Sequence, residues 1–120
     1  MLTQPAPRPT PAGDPIGTAV MITINVVGDQ VNVVLTGEID ATNADRLRTA
    51  LFTHLDDGRS QVVLDISALT FIDCSGLAVI RKAAAYAEAL GGSVRLTGEP
   101  RPRVQRILRL TRIAGSAAAV

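Results

Sequence analysis

The sequence predicts an α/β fold, a single-domain sandwich in which helices pack on a mixed sheet of four to five strands. Three observations favour this class: a pair of apolar strands separated by a short turn, an apolar run typical of a buried strand, and helix-like periodicity around it. At 120 residues with 47% hydrophobic content, the chain is long enough for one core and too short for two ordinary domains.

The first 17 residues are expected to form a disordered leader, because five of the seven prolines lie there and little else could be buried. A ligand for a proline-reading domain is the alternative interpretation of this segment. The folded domain is then residues 18–120. Its first two elements are AVMITINVV and VNVVLTGEI, which flank the turn Gly28-Asp29-Gln30 and predict a hairpin of antiparallel strands.

A first helix is predicted after the hairpin, because apolar residues recur there at spacings of three and four. Asp40 or Thr42 can cap its start, and Asp56-Asp57-Gly58 ends it. The run QVVLDI that follows is typical of a central strand buried on both faces. The predicted buried stripe of the helix consists of Ala44, Leu47, Leu51 and Leu55.

Two more helices follow, separated by the strand SVRLTG. The second is capped by Asp73 or Ser75 and stopped by Gly91-Gly92, and the third has Pro102 in its first turn. Five arginines between positions 101 and 112 lie off its apolar stripe, a pattern more typical of a solvated face than of a nucleic-acid or lipid site. The predicted buried stripes are Leu77, Ile80, Ala84, Ala87 and Leu90, then Val104, Ile107, Leu108 and Thr111.

Composition argues against several classes of function. A net charge of +1 and only three aromatic residues argue against direct nucleic-acid binding. One cysteine and one histidine can form neither an internal disulfide nor a zinc cluster, so we expect no metal and no cofactor. No apolar run reaches the roughly 20 residues of a membrane span, and the start lacks a secretory signal, which predicts a cytoplasmic protein away from the membrane.

Asp73, Cys74 and Ser75 stand side by side where a strand is expected to give way to the second helix. Such junctions lie at the surface, and the free N–H groups of a first helical turn favour negative charge. Gly37 to Asp40 form a second strand-to-helix junction that could share an edge with Asp73. Added phosphate there could weaken a partner's docking by repulsion from these carboxylates.

Four motifs, LTGEID, VVLDISALTFIDCSGL, ALGGSVRLTG and ILRLTRIAG, together resemble the STAS family, in particular its anti-sigma factor antagonists, over residues 19 to about 115. The resemblance implies a non-enzymatic protein that binds an anti-sigma factor, a serine kinase of the GHKL type, so that a sigma factor is freed for transcription. The kinase would then phosphorylate the antagonist, and a phosphatase would reset it. The expected docking surface consists of Glu38, Asp40, Asp73, Cys74, Ser75 and Gly76.

The chain departs from the family pattern at the phosphorylation site. In that pattern an Asp is followed at once by the phosphoacceptor Ser, whereas Asp73 is followed by Cys74, with Ser75 one position later. Either Ser75 takes the phosphate or phosphorylation does not switch this protein. Ser75 could also serve only as a helix cap, and Cys74 only as a small hydrophobe or as a redox switch.

Two further alternatives stay open. A STAS subunit of a lipid or solute ABC transport complex would need no phosphoacceptor, and Cys74 favours that function. A cysteine enzyme using Cys74 and His54 as nucleophile and base would lack a third orienting group, so we expect no catalytic residues. Relatives commonly carry another strand and helix after TRIAG, and a homodimer is one way in which the sheet could be covered here.

Overall fold

The order of strands and helices matches the prediction. The computed structural model describes residues 19–110, so the expected leader, Thr111 and Arg112 lie outside the described residues. The elements are β1 (Val20–Val27), β2 (Gln30–Ile39), α1 (Ala44–Asp56), β3 (Gln61–Ile72), α2 (Cys74–Ala89), β4 (Ser93–Thr97) and α3 (Pro102–Leu110).

The four strands of the described part form one mixed sheet in the order β1-β2-β3-β4. β1 and β2 pair antiparallel as a hairpin, whereas β2, β3 and β4 run parallel and are joined by α1 and α2. A parallel pair needs a crossover connection, and each helix supplies one. The predicted α/β class with a mixed sheet is therefore confirmed.

The run QVVLDI is central, as predicted, but only one of its faces is buried. Val62, Leu64 and Ile66 are buried, whereas Val63 and Asp65 on the other face are half-exposed. The reason is that α1 and α2 pack with the sheet on one side only. The run alone could not show this, because valine and leucine fit a half-covered strand as well as a fully covered one.

β3 also continues past QVVLDI, since two bulges allow it to bend without ending. The pairing register between β2 and β3 shifts twice opposite Val34–Glu38, each time with an extra residue in β3. At the first bulge the Asp65 carboxylate accepts hydrogen bonds from the Ser67 amide, at 2.9 Å, and from its hydroxyl, at 2.7 Å. Asp65 thus bonds the backbone and hydroxyl of a residue in its own strand, at the bulge.

One hydrophobic core fills the space between the sheet and the helices. Its largest fully buried side chains include Leu35, Ile39, Leu47, Leu51, Leu64, Leu69, Ile72, Ile80 and Leu96. Each contributes about 1.5–3 kcal/mol through its removal from water. The predicted α2 stripe is wrong at Leu90, which is 43% exposed because α2 ends at Ala89 and Leu90 lies in its C-cap.

α3 packs against β3. β4 pairs only with Gln61–Asp65, so the rest of β3 has no strand on that side within the described residues. Of the predicted stripe, Val104 and Leu108 are buried, whereas Ile107 is only half-buried. The Arg103 guanidinium lies 5.4 Å from the centre of the Phe71 ring, a cation–π contact that also joins α3 to the end of β3.

Candidate functional site

The ends of β2 and β3 meet at one edge of the sheet. The strands are parallel, and their last residues, Ile39 and Ile72, are paired. The Asp73 amide donates a hydrogen bond to the Ile39 carbonyl at 3.2 Å, which ties the β3–α2 junction to the β2–α1 junction. The two junctions therefore share an edge, as the element order led us to expect.

Asp73 forms the cap of α2. Its backbone is extended, with φ −113° and ψ −170°, and its carboxylate accepts hydrogen bonds from the amides of Ser75, at 2.9 Å, and Gly76, at 3.3 Å. Amides in a first helical turn have no partner within the helix, so this carboxylate satisfies two of them. Of the two predicted caps, Asp73 is the one used.

The side chains beside the cap are accessible. Cys74 is exposed and Ser75 is half-exposed. Gly76 is buried, and a Cβ added there would lie 2.7 Å from Cγ1 of Ile72 and 2.8 Å from Cγ2 of Ile39. Glycine therefore allows the first turn of α2 to pack directly on the sheet, which holds Cys74 and Ser75 at its edge.

The start of α1 differs from the prediction. Asn43 is the N-cap residue and makes no side-chain capping bond; its Oδ1 accepts from the Asp40 amide at 3.0 Å, and its Nδ2 donates to the Glu38 carbonyl at 2.9 Å. The Asp40 carboxylate accepts from the Thr42 amide at 2.9 Å and from its hydroxyl. Asp40 and Thr42 thus close the turn before the helix instead of capping it.

Four residues of the expected docking surface come together: Asp40, Asp73, Cys74 and Ser75, which we call the junction edge. Glu38 is placed elsewhere. Because neighbouring residues of a strand point to opposite faces and Ile39 is buried in the core, the Glu38 side chain lies on the other face of the sheet, where Glu38 pairs with Phe71.

An open groove runs between α1 and α2 beside the junction edge, and sequence reasoning missed it. Both helices follow parallel strands, so they run side by side in the same direction. The groove encloses about 370 Å³ and is lined by Ala41, Ala44, Asp45, Arg48, Ser75, Ala78, Val79 and Lys82. The sequence showed only that Ser75 and Lys82 lie two helical turns apart and so share a face of α2. It could not show that Arg48 of α1 lies beside that face, because this depends on how the two helices pack.

A separate cluster lies at the C-terminal ends of α1 and α2. The Tyr86 hydroxyl donates to the Asp56 carboxylate at 2.8 Å, and the Tyr86 ring stacks on Phe52 with 5.6 Å between centroids. The hydrogen bond to Asp56 and the negative charge of that carboxylate raise the pKa of Tyr86 above its usual value of 10.0. His54 lies in the last turn of α1, whereas Cys74 begins α2, so the two lie at opposite ends of helices that run in the same direction and do not form a nucleophile–base pair.

Neither a metal site nor a membrane helix is found between residues 19 and 110. No group of three or more His, Cys, Asp or Glu side chains in this range could hold a metal ion. No helix in the same range is long and apolar enough to cross a membrane.

The family model described as "Mlab, STAS domain" matches residues 22–118, most of the chain. The chain belongs to the STAS domain family. The resemblance carried by its four motifs is therefore confirmed. Among curated proteins, none matches this STAS sequence significantly.

Solved structures of anti-sigma factor antagonists share the fold of this STAS domain. One from Mycobacterium paratuberculosis is 22% identical with a TM-score of 0.69, covering 78% of this chain and 79% of that one. SpoIIAA, the Bacillus cell fate determinant, is similar in its unphosphorylated form (22% identity, TM-score 0.70, 78% and 82% covered) and in its phosphorylated form (20%, 0.63, 76% and 83%).

Part of a transporter chain has a similar fold. The murine anion transporter Slc26a9 is 19% identical with a TM-score of 0.54, over 68% of this chain and 14% of that chain. At these identities the likeness shows the STAS fold, a mixed sheet with helices packed on it.

Proposed function

We propose that this STAS protein is an anti-sigma factor antagonist. In this role it docks on an anti-sigma factor, a serine kinase of the GHKL type, and a sigma factor held by that kinase is freed for transcription. The supporting observation is the exposed junction edge at the start of α2, in a fold that anti-sigma factor antagonists share.

Ser75 is the candidate phosphoacceptor, because Cys74 occupies the position at which the family pattern has its acceptor serine. The kinase would supply ATP: the Ser75 hydroxyl oxygen bonds to the γ-phosphorus, ADP leaves, and a phosphatase later hydrolyses the ester. Ser75 is half-exposed, and the cap is formed by Asp73, so phosphate can be added without removing the cap. A charge of about −1.5 to −2 would then appear beside Asp73 and oppose docking.

Binding to the kinase is the first test. The wild type and Ser75→Ala should both bind at least one GHKL-type serine kinase from the same genome with saturable, micromolar or tighter affinity in isothermal titration calorimetry. Ser75→Ala removes one hydroxyl and leaves the Asp73 cap intact, so it serves as the unphosphorylatable control. If no such kinase binds either protein, the proposed function is wrong.

Phosphate transfer is the second test. After incubation with the bound kinase and MgATP, intact-mass measurement and phosphopeptide mapping should show one phosphate on wild-type Ser75 and none on Ser75→Ala. Cys74→Ser restores the family's acceptor, and we expect it to accept phosphate at position 74. Binding without phosphate on the wild type would exclude phosphorylation as the switch while leaving antagonism in place.

The second candidate is a STAS subunit of a lipid or solute ABC transport complex. Cys74 in the acceptor position favours it, and the fold likeness to part of the anion transporter Slc26a9 supports it. This function predicts that the tagged chain co-purifies with a transport ATPase and that Ser75→Ala does not alter the yield. A kinase gene beside this one would favour the first candidate, and transporter genes the second.

A further inference from the structure

The ionised side chains that line the groove beside Ser75 carry a net positive charge. One oxygen of Asp73 is already bonded to two α2 amides, and one oxygen of Asp40 to the Thr42 amide and hydroxyl. These carboxylates are directed at their own backbone. Arg48 and Lys82 are exposed, and within residues 19–110 they form neither a side-chain hydrogen bond nor an ion pair.

Arg48 and Lys82 line the same groove, one from each helix. Alanine side chains on both helices leave the groove open, and the buried Val79 contributes apolar surface to it. Asp45 also lines the groove without forming an ion pair, so the three ionised side chains together carry a charge of about +1. An anion bound between the two cations would reduce their mutual repulsion and gain charge-assisted hydrogen bonds.

We propose that this groove binds an acidic side chain, Glu or Asp, of the protein partner and that this contact selects the partner. The inference rests on the proposed function, in which the partner is the anti-sigma kinase. Arg48 offers a planar fork and Lys82 a point charge, a pair suited to one carboxylate. The alanine and valine surfaces limit water around that carboxylate, which strengthens its hydrogen bonds.

The groove is continuous with the junction edge, because Ser75 belongs to both. A phosphate on Ser75 would therefore place a like charge of about −1.5 to −2 close to the partner's carboxylate. Phosphorylation one residue beyond the family's usual acceptor would then still release the partner, by repulsion and by competition for the same cations.

Charge reversal tests the groove. Wild type, Arg48→Glu, Lys82→Glu and the control Arg106→Glu should be titrated with the kinase that binds wild type. Arg106 is exposed on α3 and does not line the groove, so its reversal makes the same charge change elsewhere. We expect each groove reversal to weaken binding at least tenfold, mainly through faster dissociation, and the control to stay within about twofold.

The urea midpoint of each variant, measured in parallel, should match that of wild type, because all three side chains are exposed. Equal binding by all four proteins would overturn the groove inference and leave the proposed function standing. So would an equal loss in Arg106→Glu, which would indicate a response to net charge alone. If wild type binds no kinase, both the groove inference and the proposed function fail.

Discussion

Asp73, Cys74 and Ser75 divide two roles between them at the start of α2. Asp73 bonds two backbone amides and so serves the fold, whereas Cys74 and Ser75 present accessible side chains beside it. The sequence could not choose between Asp73 and Ser75 as the cap, since both residue types cap helices. The choice follows from the end of β3 at Ile72, which pairs with Ile39, because Asp73 is then the last extended residue before the helix.

Loss of the cap should destabilise the protein. Asp73→Ala leaves the Ser75 and Gly76 amides without their acceptor, and we expect the free energy of unfolding in urea to fall by about 1 kcal/mol, within a range of 0.5–2. Asp73→Asn is the matched control, because asparagine caps about as well and should retain most of that stability. Equal stability of Asp73→Ala and wild type would contradict the assignment of the cap.

Asp56 controls the ionisation of Tyr86. Because the hydrogen bond to Asp56 raises the pKa of Tyr86 above 10.0, Asp56→Asn should lower it toward 10.0 in a titration of tyrosinate absorbance. Tyr86 is the only tyrosine, so the signal is unambiguous. Asp57→Asn, whose carboxylate pairs with Arg59 instead, is the control and should leave the pKa unchanged.

The same contact contributes to the pH dependence of stability. The folded-state pKa of Tyr86 lies above the unfolded-state value, so the stabilisation is fully present below about pH 10 and is lost as pH rises through the folded-state pKa. An unchanged Tyr86 titration in Asp56→Asn would show that another group sets the pKa.

Among the elements, α3 depends on few contacts. Of the four residues in its predicted apolar stripe, Val104 and Leu108 are buried against β3, Ile107 is half-buried, and Thr111 lies outside the described residues. That α3 covers β3 could not be predicted, because it requires β4 to end opposite Asp65 while β3 continues through its bulges. Local periodicity specifies which face of a helix is buried but not which surface it covers.

Replacing the buried and the exposed leucine of α3 by alanine should change stability by different amounts. Leu108 is 5% exposed, and Leu108→Ala should lower the free energy of unfolding by about 2–5 kcal/mol. Hydrogen exchange of the α3 amides should accelerate more than that of the β2 and β3 amides. Leu110, 72% exposed on the same helix, is the control, and Leu110→Ala should change stability by less than about 0.5 kcal/mol. Similar losses in both variants would contradict this packing.

At the scale of the whole molecule, β3 organises both the core and the site. It pairs with β2 and β4, packs under α3, and ends at the junction edge. Leu64 lies at its centre, fully buried and in register with Val33 and Leu96 on the neighbouring strands. A cavity at this point would remove packing contacts in β3 and in both strands that pair with it, β2 and β4.

Leu64→Ala should therefore destabilise the fold as one unit. We expect a loss of about 2–5 kcal/mol in urea unfolding, with an unchanged m-value and coincident transitions by circular dichroism and fluorescence of a dye on Cys74. Val63→Ala, one residue away on the half-exposed face, is the control and should cost clearly less. Separate transitions for the two probes would mean that the junction edge unfolds independently of the core.

The sequence by itself determined the order of the elements, the buried stripe of α1, the burial of Val104 and Leu108 in α3, the α/β class and the STAS family, because these depend on local periodicity, turn residues and short motifs. Only the tertiary structure decided the bulges of β3, the cap at Asp73, the position of Glu38 on the far face, and the groove that brings Arg48 toward Ser75 and Lys82. Each of these depends on which residues pair or pack across elements distant in the chain, and strand register and helix packing set those contacts.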